Sequence, residues 1–175
     1  MKSTTVVNLF GGPGSGKSTT AAGVFHALKQ RGISVEMAHE YAKDLCWEEN
    51  PRIAHQLSVF AEQHWRLFRL VGKVDFIVTD SPLLLSLVYA GGMMTAFRKM
   101  VIEEHHRFKS LNLFIERVKS YQPEGRYQDE AGARAIDDQI RAMLLANEIT
   151  HPTIPGDHNA ALYIATMLST PRGKK

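Results

Sequence analysis

The sequence predicts a doubly wound α/β fold, with five parallel strands covered by helices on both faces. Three observations carry this. Short apolar runs alternate with segments of helical periodicity along the chain. The first run, Thr5 to Phe10, feeds into Gly11-Gly12-Pro13-Gly14-Ser15-Gly16-Lys17-Ser18 and then a helical pattern, the order of strand, glycine loop and helix that binds phosphate. Acidic residues stand at the ends of the next two apolar runs, the carboxyl edge where open α/β sheets gather ligands.

Ser18 to Arg31 places Ala21, Val24, Phe25 and Leu28 at helical spacing, and Gly32 closes it. Ile33 to Ala38 reads as the second strand, delivering His39, Glu40 and Tyr41 to its carboxyl end. Asn50-Pro51 starts a helix whose apolar positions Ile53, Leu57, Phe60, Phe68 and Val71 continue to Gly72, and which carries Gln63, His64, Trp65 and Arg66. Phe76 to Thr79 is a third strand ending on Asp80. Leu83 to Ala90 and Thr95 to Lys109 read as helices parted by Gly91-Gly92, and Leu111 to Ile115 as the fourth strand. The polar stretch after it holds Arg117, Lys119, Gly125 and Arg126, and reads as a short lid over about 117–128 or as a plain exposed loop. A helix follows from Glu130 to Asn147. Ile149 to Ile154 is a fifth strand, at an edge because of Pro152, and Asp157 caps a last helix to Leu168.

At 175 residues and 44% hydrophobic content the chain suits one domain, 1–170, with a core. The net charge of +3 vanishes without Arg172, Lys174 and Lys175, so it belongs to a basic tail at 171–175 rather than to a nucleic-acid surface. No apolar run is long enough to cross a bilayer, and the single Cys46 excludes an internal disulfide. A cytoplasmic setting is expected. The oligomeric state stays open, a homodimer included.

The loop spacing assigns chemistry. Glycines let backbone N–H groups turn inward around an anion, so Gly12, Pro13, Gly14, Ser15, Gly16, Lys17, Ser18 and Thr19 form the nucleotide cradle. Lys17 reaches the β- and γ-phosphates, Ser18 offers a hydroxyl to Mg2+, and the helix that starts here adds its positive end. Asp80, closing an apolar strand, has the form of a Walker B carboxylate holding the same Mg2+, with a helix-capping role as the alternative. For His64 and Trp65 the alternative is ordinary packing. For Glu40 it is a pairing with Lys43 or a helix cap.

Together these features resemble the P-loop kinases of nucleosides and nucleotides over nearly the whole chain. More narrowly, the runs His39-Glu40-Tyr41-Ala42-Lys43, Thr79-Asp80-Ser81-Pro82 and Gly125-Arg126-Tyr127-Gln128 are similar to small bacteriophage P-loop proteins labelled nucleotide kinase or ATPase. Similar phage enzymes phosphorylate 5-hydroxymethyluracil bases in DNA. The resemblance implies ATP and Mg2+ as cofactors, held by Lys17, Ser18 and Asp80, with Arg126 and Arg117 neutralising the transferring phosphoryl group. The acceptor side would use Glu40, Tyr41, Gln63, His64, Arg66 and Ser81. Thymidylate-type kinases carry an arginine where this chain has Ser81, which points away from a monophosphate acceptor unless Arg52 or Arg66 substitutes. A hydroxyl acceptor must lose a proton as it attacks, and Glu40 is the carboxylate placed to take it.

The expected function is therefore an ATP-dependent kinase acting on a hydroxyl of a nucleoside-type acceptor, with a 5-hydroxymethylpyrimidine in DNA favoured over a free nucleoside. The rivals are a nucleoside monophosphate kinase and an NTPase or switch that hydrolyses ATP. Against the last, the chain has no N-K-x-D guanine signature.

Overall fold

The computed structural model of the chain describes residues 2–92, 94–118 and 129–170. Its elements run β1 (Thr5–Phe10), α1 (Lys17–Gln30), β2 (Val35–Ala38), α2 (Tyr41–Trp47), α3 (Gln56–Phe68), β3 (Phe76–Thr79), α4 (Ser86–Tyr89), α5 (Thr95–Arg107), β4 (Ser110–Glu116), α6 (Glu130–Ala146), β5 (Thr153–Pro155) and α7 (Ala160–Ser169). Short 3-10 turns at Pro51–Ala54 and Leu83–Leu85 precede α3 and α4.

The five strands form one parallel sheet in the order β2-β3-β1-β4-β5. Every residue of β1 is buried, as a central strand covered on both faces requires. Its side chains divide by alternation. Val7 and Leu9 join Ala21, Val24 and Leu28 of α1 and Ile164 of α7 on one face. Val6 and Phe10 join Phe60, Phe97, Ile140 and Leu144, from α3, α5 and α6, on the other. Asn8 shares the second side and sits opposite Asn112 of β4, where its Nδ2 donates to Oδ1 at 2.9 Å. The predicted doubly wound sheet is what the chain forms.

Strand order reverses around β1, because the chain passes from β1 to the edge strand β2, returns to β3 beside β1, and then crosses to β4. The crevice at this reversal, beyond the carboxyl ends of β1 and β3, is where such sheets bind ligands.

Three differences from the sequence reading stand out. The expected helix from Pro51 is interrupted: Asn50 caps a separate 3-10 turn, accepting from the Arg52 N–H, and the His55 side chain caps α3 by accepting from Ser58. Helix α2 was not expected, because Leu45 is its one fully buried residue and no apolar period marks it. The fifth strand is short and begins at Thr153, after Pro152 has accepted a bond from the Phe114 N–H.

Candidate active site

The phosphate loop leaves β1 at Gly11 and turns into α1 at Lys17. Gly14 (φ 78°) and Gly16 (φ 100°) adopt the left-handed conformation that only glycine holds cheaply. Gly16 offers α1 no side-chain cap, and no acidic residue lies in the first turn. The first N–H groups of α1 and its positive end are thus left to an anion in the loop. Lys17 Nζ donates to Gly12 O at 2.9 Å, so the ammonium folds over the loop. Burial lowers the Lys17 pKa, while Glu40, Asp80 and Asp137 pull it back up.

A cleft of about 660 Å³ opens from this loop. Its floor is Gly14, Gly16, Lys17, Ser18 and Thr19, and its walls come from α2, the Pro51–Ala54 turn, α3 and α4. Ligand clefts of this volume suit one small organic molecule beside a phosphate chain.

Glu40 stands at the mouth of α2 and faces this cleft. It is not the cap that the alternative reading proposed, because its side chain makes no capping bond to α2. Burial pushes its carboxyl up, Asp80 adds to the rise, and the Lys17 ammonium opposes it. Asp80 is 3% exposed, and its Oδ1 has no hydrogen-bond partner among the described residues. The 3-10 turn that follows it has no side-chain cap, and the Ser81 N–H bonds Thr79 Oγ1, so capping does not occupy Asp80 either.

A buried carboxylate oxygen without a partner suits a hard cation. Among the described residues no cluster of three or more His, Cys, Asp or Glu could hold a metal alone. The buried Asp80 oxygen and the Ser18 hydroxyl in the cleft are donors of the kind Mg2+ takes beside a phosphate chain.

Gln63 is 4% exposed in the cleft wall. Its Oε1 accepts the Tyr41 N–H at 3.0 Å, which fixes the amide, and its Nε2 is a buried donor with no partner among the described residues. Ser81 also lines the cleft.

Three expected acceptor contacts do not reach it. Tyr41, His64 and Arg66 are absent from the cleft lining. His64 turns to the far side of α3, where Nε2 meets Glu104 Oε2 of α5 at 2.9 Å and its ring stacks on Phe68. Arg66 meets Asp44 at 2.8 Å and the His39 carbonyl at 3.2 Å, and covers the Tyr41 ring at 5.0 Å. It therefore ties α2 to α3, outside the described cleft lining. Trp65 lies 55% exposed on the outer face.

Arg117, just past β4, pairs with Asp137 of α6 at 2.9 Å, and the same carboxylate accepts the Gly12 N–H of the loop. Arg126, Lys119, Gly125, Tyr127 and Gln128, with most of the expected lid, lie outside the described residues, as does the 171–175 tail.

The sequence reading missed Asp137, Tyr89, Trp47 and Cys46. Asp137 had a legible signal, an acid between Ala133 and Ile140 on the inward face of an amphipathic helix. Tyr89, whose phenol burial pushes up to about 12 with Glu40 and Asp137 adding to the rise, had none. Trp47 and Cys46 lie on α2, the helix without a period.

No curated protein matches the sequence. Among solved structures the fold is similar to a thymidylate kinase from Ehrlichia chaffeensis, with a TM-score of 0.60 at 12% identity, covering 95% of this chain and 99% of that one. That likeness concerns the fold, which is of the P-loop kinase type. A family model described as AAA domain matches residues 6–160, a span from β1 through the phosphate loop and Asp80 to the start of α7. By that match the chain belongs to the AAA domain family of P-loop proteins.

Proposed function

We propose that the chain is an ATP-dependent kinase that moves the γ-phosphoryl group to a hydroxyl on a nucleoside-type acceptor. The observation that carries this reading is Glu40, an uncapped carboxylate in the cleft whose pKa is raised beside Lys17 and Asp80. A phosphate acceptor is already anionic and needs no base. A hydroxyl does, and a carboxylate with a raised pKa serves better than an ordinary one.

The acceptor end supports the same side. Among the described lining residues the cations are Lys17 and Lys43, and no arginine is present. A monophosphate acceptor, which the thymidylate kinase likeness would suggest, calls for the bidentate clamp that arginine provides. Uncharged groups dominate instead: Ile53, Ala54, Val59 and Leu85 with the Gln63 amide.

In this mechanism the N–H groups at the start of α1 and the Lys17 ammonium hold the donor phosphates, and Arg117 offsets charge gathering on the transferred group. Ser18 and Asp80 are the residues that would hold Mg2+, which would supply further neutralisation of the phosphate charge. Gln63 Nε2 donates to a carbonyl of the acceptor, which orients its hydroxyl toward Glu40. Glu40 takes that proton as the oxygen attacks.

The narrower substrate is a 5-hydroxymethylpyrimidine within DNA, supported by the likeness of the Glu40, Asp80 and Arg126 runs to phage proteins. A base in a duplex reaches such a cleft only when turned out of the stack, and Trp47, 67% exposed at the rim, offers a stacking surface. The test is γ-labelled ATP with a panel of nucleosides, monophosphates and hydroxymethylated oligonucleotides. Label in a new monoester on a hydroxyl is expected. Label in a diphosphate would overturn the hydroxyl acceptor, and inorganic phosphate as sole product would favour the NTPase rival.

A further inference from the structure

Asp137 has no part in that mechanism, yet it touches the loop. Its Oδ1 accepts the Gly12 N–H, and its Oδ2 accepts from Arg117 Nε at 3.2 Å and Nη2 at 2.9 Å. The two side chains are 4% (Arg117) and 15% (Asp137) exposed, so this forked ion pair is largely shielded from water. One carboxylate thus ties together the phosphate loop, the end of β4 and α6.

The approach of α6 also explains Gly12. A Cβ there would lie 2.6 Å from Ala133 O and 2.8 Å from Asp137 Oδ1. Glycine at this position makes room for Asp137, whereas Gly14 and Gly16 are needed for their backbone conformation.

A shielded ion pair is weak evidence of a stabilising role, since apolar residues of similar volume often do as well. A carboxylate beside a triphosphate site also works against ground-state binding. Its presence makes sense if the gain comes in the transition state.

We propose that Asp137 is a positioning residue: it fixes the Arg117 guanidinium and the entry to the phosphate loop relative to the phosphoryl group being transferred. This rests on the reading of the loop and Arg117 as the triphosphate site. Its consequence is a split in the kinetics. Without the carboxylate, Arg117 is no longer aimed where charge develops, so kcat falls. The nearby negative charge is gone as well, so the KM for ATP stays level or drops.

The test compares wild type, Asp137→Asn, Arg117→Gln and the double variant. It measures kcat, KM for ATP, melting temperature, and the affinities for ADP and a non-hydrolysable ATP analogue. Asp137→Asn is expected to lose about tenfold or more in kcat with no rise in KM, because misaligned electrostatic stabilisers cost at least that much. The double variant should be no slower than Arg117→Gln alone, since both changes remove one function. Asp137→Asn should bind ADP and the ATP analogue at least as well as wild type, since the gain from the carboxylate comes only in the transition state.

Losses that multiply in the double variant, or a kcat for Asp137→Asn within about twofold of wild type, would overturn the proposal. If Asp137→Asn does not fold, Asp137→Glu decides the matter. It keeps the charge but displaces it, so reduced kcat in a folded protein supports positioning and wild-type kcat refutes it. If the wild type transfers phosphate to no acceptor, the kinase reading fails separately, and the same four-protein comparison made on the rate of ATP hydrolysis decides the role of Asp137.

Discussion

Replacing Glu40 by glutamine keeps the shape and hydrogen-bonding reach of the side chain and removes only its ability to accept a proton. Loss of a general base costs about 100-fold, or about 2.7 kcal/mol at the transition state, so kcat should fall by that order with little change in ATP affinity. The structure adds a second expectation, of opposite sign. Glu40 caps nothing, and burial raises its pKa above the ordinary 4.5. A pKa raised by folding contributes stability that is complete below 4.5 and lost as pH rises through the folded value. Above that folded value the charged carboxylate burdens the fold, and Glu40→Gln should there melt at the same temperature as wild type or higher. A third effect follows from Lys17, because Glu40 is the foremost charge holding its pKa up. The variant's residual activity should fade at lower alkaline pH. Steady-state kinetics across pH with a melting curve checks all three. A kcat within about tenfold with a raised acceptor KM would refute the base and favour a phosphate acceptor, and a lowered melting temperature with normal kinetics would make Glu40 structural.

Other expectations are narrower. Asp80→Asn should shift the Mg2+ dependence of turnover to higher concentration while metal-free ATP binding holds, since an amide is a poor ligand for a hard cation; an unchanged magnesium titration would refute its metal role. Gln63→Leu should raise the acceptor KM about tenfold and cost about 1 kcal/mol through the orphaned Tyr41 N–H, measurable by kinetics and denaturation. His105, 4% exposed with its pKa lowered to about 4 by burial and by His106, is neutral in the fold. Its stability contribution is present above the ordinary 6.5 and lost as pH falls toward 4, roughly 3 kcal/mol at most, so His105→Leu should flatten the acid limb of the stability curve between those values.

What the sequence made legible is what obeys a local rule. The phosphate loop, β1 and β3 announce themselves because glycine conformations and buried strands restrict residue type. Glu40 and Asp80 could be read because each stands within two residues of a strand's carboxyl end. His64 and Arg66 misled because their helix does line the cleft, but the break at Ala54 and the His55 cap set which face does so, and that face carries Val59 and Gln63. Asp137 reaches Gly12 across 125 positions, a meeting that only the packing of α6 against the loop creates. The resemblance implied a phosphate role for Arg117, but nothing in the sequence pointed to its pairing with Asp137.

The most direct measurement of the central claim is phosphorus NMR of the product formed by wild-type protein from ATP, Mg2+ and a hydroxymethylpyrimidine-bearing oligonucleotide, with the free nucleoside and its monophosphate run in parallel. The account predicts ADP together with a phosphomonoester on a hydroxyl, formed in equal amounts. A new diphosphate from the monophosphate, or ADP with inorganic phosphate whatever acceptor is present, would contradict it.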